Sequence, residues 1–142
     1  MATYFQGAVK SGDGFSETAT GVGTAVFSQT ALIDFNTTLT SEAVFVLPKD
    51  SQIVDVVVDV LTAYNSATSA TLTVGSASAG TQYAGAVDAK TAGRVRPTFT
   101  AAQLAAMDDI DGNTSVYATV TSVGQPTAGS ARVTVLYTGG SK

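Results

Sequence analysis

Residues 53–61, Ile53-Val54-Asp55-Val56-Val57-Val58-Asp59-Val60-Leu61, are the stretch on which the fold turns. Most of them are β-branched, and such side chains lose rotamer freedom on a helix but pack well on a pleated surface. Because side chains alternate along a strand, Val54, Val56, Val58 and Val60 share one side, and Ile53, Asp55, Val57, Asp59 and Leu61 share the other. The all-valine side is expected to be buried, and a strand this apolar on both sides is expected at the centre of a sheet. Asp55 and Asp59 fall on the second side, about 13 Å apart at the rise of a strand. Their expected role is to keep that side partly polar or to pair with Arg94, Arg96 or Arg132.

Upstream, Lys49-Asp50-Ser51 reads as a turn, and Pro48, with no N–H to give a ladder, stops a strand running from about Ala43 to Leu47. Before it, Thr24 to Phe35 places Ala25, Phe27, Ala31, Ile33 and Phe35 on one side, interrupted by Gln29. Downstream, Tyr64-Asn65-Ser66 turns the chain, and Ala70 to Val74 is expected to pair back on the valine strand. A Gly/Ala/Ser loop over Gly75 to Gly80 precedes shorter strands around Gln82 to Val87 and Arg94 to Thr100. Thr100 and Gln103 have the spacing of a capping box, and Ala101 to Met107 favours helix throughout, so one short helix is expected there. Ser115 to Val123 and Gly129 to Thr138 bracket Gly124-Gln125-Pro126-Thr127 and read as a closing hairpin.

About eight short strands, one helix and no repeat predict an all-β fold: an antiparallel β-sandwich, jelly-roll-like, with an immunoglobulin-like sandwich as the nearest alternative. Residues 1–23 lack sustained alternation and read as an extended N-terminal arm with isolated Tyr4, Phe5, Val9 and Phe15; residues 24–142 form the body. Gly12-Asp13-Gly14 and Gly21-Val22-Gly23 neither follow a strand nor open a helix, so they are expected to be joints of that arm rather than a dinucleotide fingerprint.

The 142 residues contain no Cys, His or Trp. Without Cys there is no disulfide scaffold, thiolate zinc site or thiol catalysis, and without His the usual neutral-pH base and commonest metal ligand are missing. The expectation is a protein that is not an enzyme, with no cofactor. Seven Lys and Arg against eleven Asp and Glu give a net charge of −4, the wrong sign for a phosphate backbone, so no nucleic-acid partner is expected. No run approaches the roughly 18 apolar residues of a spanning helix and no signal sequence opens the chain, so neither membrane insertion nor secretion is expected and synthesis is placed in a cytoplasm. Asp108, Asp109 and Asp111 offer the hard oxygens calcium takes. Aligning Gly112 with the conserved glycine of a calcium-binding helix–loop–helix puts Met107 and Ala118 where carboxylates are needed, so a structural turn and no metal site is expected. Asp55 and Asp59 are too far apart for a glycosidase pair, whose carboxylates stand roughly 5–9.5 Å apart.

Three longer stretches, Gln6 to Gly14 (QGAVKSGDG), Leu47 to Gly75 (LPKDSQIVDVVVDVLTAYNSATSATLTVG) and Gly80 to Asp109 (GTQYAGAVDAKTAGRVRPTFTAAQLAAMDD), resemble a family of small structural proteins of tailed bacteriophages. These are similar to head-decoration or capsid-stabilising (cement) proteins, and the shared wording contains no catalytic signature. The resemblance implies a jelly-roll-like body bound to the phage major capsid protein on the outer surface of the head, acting as a virion structural protein. It also implies a closed cyclic oligomer, most simply a homotrimer. Tyr4, Phe5, Val9 and Phe15 are the residues expected to bind the capsid. The alternative is a fibre, spike or tail-associated β-module that attaches to host-surface glycan.

Overall fold

In the computed structural model, which describes residues 25–36 and 44–139, the alternating runs become eight strands and one helix. They are β1 (Val26–Asp34), β2 (Phe45–Leu47), β3 (Gln52–Thr62), β4 (Ser69–Gly75), β5 (Ala84–Asp88), β6 (Gly93–Val95), α1 (Ala101–Asp108), β7 (Thr114–Val123) and β8 (Ser130–Thr138). The strands pair antiparallel in two four-stranded sheets, ordered β1-β8-β3-β6 and β2-β7-β4-β5. Each strand lies beside its mirror image in sequence: β1 with β8, β2 with β7, β3 with β6, β4 with β5. The chain is thus a two-stranded ribbon, wrapped so that β8 also meets β3 and β7 also meets β4. That is the order of a jelly roll, not of an immunoglobulin sandwich.

This order overturns two expected pairings. β4 does not pair back on β3, and β7 and β8 do not form a hairpin, because each couple is divided between the sheets. Both edges of β3 are already taken, by β8 and β6, so β4 has nowhere to join it. The intervening turns are crossovers, and they are stitched side by side: Asn65 Oδ1 accepts from the N–H groups of Thr127 (2.8 Å) and Ala128 (3.1 Å), while its Nδ2 donates to Thr127 Oγ1 (2.8 Å). Tyr64 plugs the sandwich beside them. Its hydroxyl donates to the Ile33 carbonyl at 2.6 Å, and burial, helped by the charge of Asp34, pushes its pKa up to about 12. Gly129 passes so close that an added Cβ would lie 2.5 Å from the ring, and its φ of +147° is one that side chains resist.

The strongest strand also departs from simple alternation. Val56, Val58 and Val60 are buried as expected, but Val54 is 51% exposed and Ile53 takes the inward place. Ile53 opposes Tyr137 while Asp55 opposes Leu136, so Val54 is the extra residue of a β-bulge, and the inward phase changes across it. Val56, Val58, Val60, Val133 and Val135 then face Ala70, Leu72, Val74, Val116 and Ala118 across a single core. Gln29, the polar interruption in β1, bridges the layers: its Nε2 donates to the Val46 carbonyl (2.9 Å) and the Tyr137 hydroxyl (3.1 Å).

The helix begins with the expected capping box. Thr100 Oγ1 accepts from the Gln103 N–H (3.2 Å) and Gln103 Oε1 accepts from the Thr100 N–H (2.9 Å). The strand expected over Arg94 to Thr100 is cut to Gly93–Val95, in keeping with the missing N–H of Pro97. After the helix, the chain is tied to the β2–β3 turn, where Asp50 N–H donates to the Ile110 carbonyl (2.8 Å) and Ile110 N–H to the Ser51 carbonyl (2.9 Å). The Asp108 to Asp111 segment is therefore part of a backbone clasp.

Candidate functional site

The outer face of the β1-β8-β3-β6 sheet gathers the chemistry. Directly opposed residues of antiparallel strands share a face, so the register Leu32–Arg132, Arg132–Asp59 and Asp59–Arg94 draws one row across all four strands. At about 4.8 Å between strands the row is about 14 Å wide. Asp59 lies in its middle, only 7% exposed, beneath two guanidinium groups. Arg94 grips it side-on, Nε donating to Oδ1 at 2.6 Å and Nη2 to Oδ2 at 3.0 Å. Arg132 donates from both Nε (3.2 Å) and Nη2 (2.7 Å) to Oδ2. These bonds, Arg94's foremost, hold the Asp59 carboxyl well below the usual carboxylate range against the opposing effect of its burial, and Asp59 in turn raises the pKa of Arg94.

The arginine side chains stay open to water, Arg94 at 63% and Arg132 at 44%. Further along β3 on the same face, Asp55 receives Arg96 at 3.7 Å and accepts the Val56 N–H at 2.9 Å. The expected pairing of Asp55 and Asp59 with arginines is thus realised. The sequence contains three arginines, and all three stand on this face. Two half-exposed leucines accompany them: Leu32 at the β1 end of the row and Leu61, two residues beyond Asp59.

Among the described residues no group of three or more Asp, Glu, His or Cys side chains is arranged to hold a metal ion. Tyr4, Phe5, Val9 and Phe15, the residues expected to bind a capsid, lie outside the described residues. The sequence offered Arg94 and Arg132 as alternative partners of the acids, and it took strand register to show both on Asp59. Leu32 and Leu61 carried no distinguishing signal, since a leucine in a strand reads as a core residue whichever side it stands on.

No protein-family profile matches the sequence, and no curated protein matches it. Three solved structures share the fold. A chain of the capsid asymmetric unit of cyanophage Pam1 has a TM-score of 0.61 and 25% identity, over 92% of this chain and 97% of that one. A chain of the capsid of Ralstonia phage GP4 gives 0.59 and 19%, covering 83% and 86%. One from the acid-stable capsid of Helicobacter pylori bacteriophage KHP30 gives 0.60 and 16%, covering 82% and 90%. A jelly roll matched over 82–92% of its length by chains of phage capsids supports a structural protein of a phage head.

Proposed function

We propose that the chain is a decoration or cement protein, bound as a homotrimer to the outer surface of a phage head and stabilising it. The observation that carries this reading is the end-to-end match with a chain of the Pam1 capsid of nearly the same length. A single jelly roll of this size suits a part added to a shell. An acidic body sits more favourably on the outside than against packaged DNA. A protein that binds the assembled lattice more tightly than free subunits stabilises the lattice by mass action, and many copies add their contributions. The arm of residues 1–23, through Tyr4, Phe5, Val9 and Phe15, supplies apolar anchors, each worth about 1.5–3 kcal/mol when buried, offset by the entropy of fixing its backbone.

Cryo-EM of the intact particle, with quantitative mass spectrometry of its proteins, tests the reading. Hundreds of copies in threefold clusters over the shell are expected, whereas a few copies at the tail would favour the host-attachment module. Density for this fold in the continuous shell itself would make it the shell protein. Removing Met1 to Phe15 is expected to leave the body folded and to release it from purified heads; undiminished retention would move the anchoring from the arm to the body.

A further inference from the structure

We propose that the row Leu32–Arg132–Asp59–Arg94, with Leu61 beside it, is the docking face for a protein surface that presents carboxylates; on the reading above, that surface belongs to the phage shell. The inference rests on that reading for the partner's identity and on the geometry for its chemistry.

The acid at the centre is the telling residue. Burying a carboxylate under two guanidiniums contributes little to stability compared with an apolar side chain of similar size, and Val57 two residues earlier shows that this face accepts one. What Asp59 does achieve is orientation. Its oxygens take the Nε and Nη2 atoms of both arginines, which fixes the plane of each fork while 63% of the Arg94 side chain and 44% of the Arg132 side chain remain in water. Freezing two long side chains before binding removes an entropic cost that would otherwise be met at the interface. Two guanidiniums share one carboxylate, so the trio by itself carries a net charge of +1 in a chain whose net charge is −4. Asp34, on the same side of β1 two residues beyond Leu32, has interactions of its own.

Planar forks next to exposed leucines are the composition of an interface centre, where arginine is enriched and apolar neighbours exclude water. A carboxylate matches a guanidinium fork in shape and sign. A nucleic acid is disfavoured, because one local positive charge does not offset the repulsion of the remaining surface.

The test is co-sedimentation of the full chain with heads from a phage lacking it, comparing wild type, Arg94→Gln, Arg132→Gln and Leu32→Asp. Val123→Asp, an equally exposed apolar position on β7 in the other sheet, is the control. Each single arginine variant leaves Asp59 one guanidinium, so thermal melting should confirm that it folds, and Leu32→Asp alters a side chain already 56% exposed. Binding at least about tenfold weaker is expected in all three, with the control at wild-type affinity. Added salt should weaken wild-type binding more steeply than that of Arg94→Gln. Wild-type affinity in the arginine variants and Leu32→Asp would overturn the inference while leaving the proposed function standing. Failure of the wild type itself to sediment with heads would remove both. A DNA fragment bound by the wild type and released by Arg94→Gln would replace the carboxylate partner with a nucleic acid.

Discussion

The outer face of β1-β8-β3-β6 and the outer face of β2-β7-β4-β5 lie on opposite sides of the same core and solve the same problem differently. The first carries Arg94, Arg96 and Arg132 with Asp55 and Asp59. The second carries hydroxyls, with Thr71 opposite Thr121 and Thr73 opposite Thr119. Its hydroxyls are partly covered by the chain itself: Thr119 is 3% exposed and its Oγ1 accepts the Ala79 N–H at 2.9 Å from the loop between β4 and β5. Short hydroxyl side chains suit a face that its own backbone closes over, since a hydroxyl such as that of Thr119 can supply a hydrogen bond without burying a charge. Long guanidiniums locked by a sunken acid suit a face left open.

The largest effect expected from disturbing this contrast comes from moving a carboxylate across the strand. Val56→Asp puts an unpaired charge into the core three residues from Asp59, at a cost of several kcal/mol against a total stability of roughly 5–15, so cooperative melting should be lost. A soluble variant that melts normally would mean that the faces of β3 are reversed. Next in size is Gly129→Ala at the crossover that separates the sheets. A Cβ pressed against Tyr64 at an unfavourable φ should lower stability by about 3 kcal/mol in a denaturant titration, and an unchanged midpoint would contradict the packing around that plug.

Asp59→Asn should cost about 1–2 kcal/mol at neutral pH, because both arginine side chains are substantially exposed and water screens the pairing. Its pH dependence is the sharper readout. The folded pKa of Asp59 lies below its unfolded value, so its contribution is complete above about pH 4 and declines as acid protonates it below that range. Unfolding curves of wild type and Asp59→Asn should therefore run parallel from neutral pH down to about 4 and converge below it. Divergence toward acid would refute the pairing. The smallest change is expected on the hydroxyl face: Thr73 Oγ1 is buried without a protein hydrogen-bond partner, so Thr73→Val should be neutral or stabilise by less than about 1 kcal/mol. A clear loss of stability would reveal a bond to that hydroxyl.

How much of this was legible in the sequence differs from element to element. The valines of β3, the alternation of β7 and β8 and the Thr100-Gln103 cap are local signals, and local signals survived. Partner choice did not, because Gly124-Gln125-Pro126-Thr127 can close a hairpin or carry the chain between layers, and what decides is that β8 finds β1 and β3. The bulge at Val54 was invisible for a related reason: an extra residue in one strand has meaning only against the register of its neighbour. The charged row suffered most from this, since its four residues come from four strands, and the sequence offered only a choice of arginines for two acids. The arm residues Tyr4, Phe5, Val9 and Phe15 lie outside the described residues and stay with the proposed function.

The pairing of the first strand with the last has a consequence in time. Val26 stands opposite Thr138, with nearly the whole body between them in sequence, so β1 gains its ladder only after β8 has been synthesised. Contacts between such distant segments must first meet the entropy of closing a long loop, which places this topology among folds that form over milliseconds to seconds rather than microseconds. Until then Phe27 and Ile33 wait without the sheet that will shelter them. The row of Leu32, Arg132, Asp59 and Arg94 takes a residue from β8 as well, and so it comes into being only once β8 has joined the sheet, which gives any partner reading that row a built-in check that the sheet has assembled.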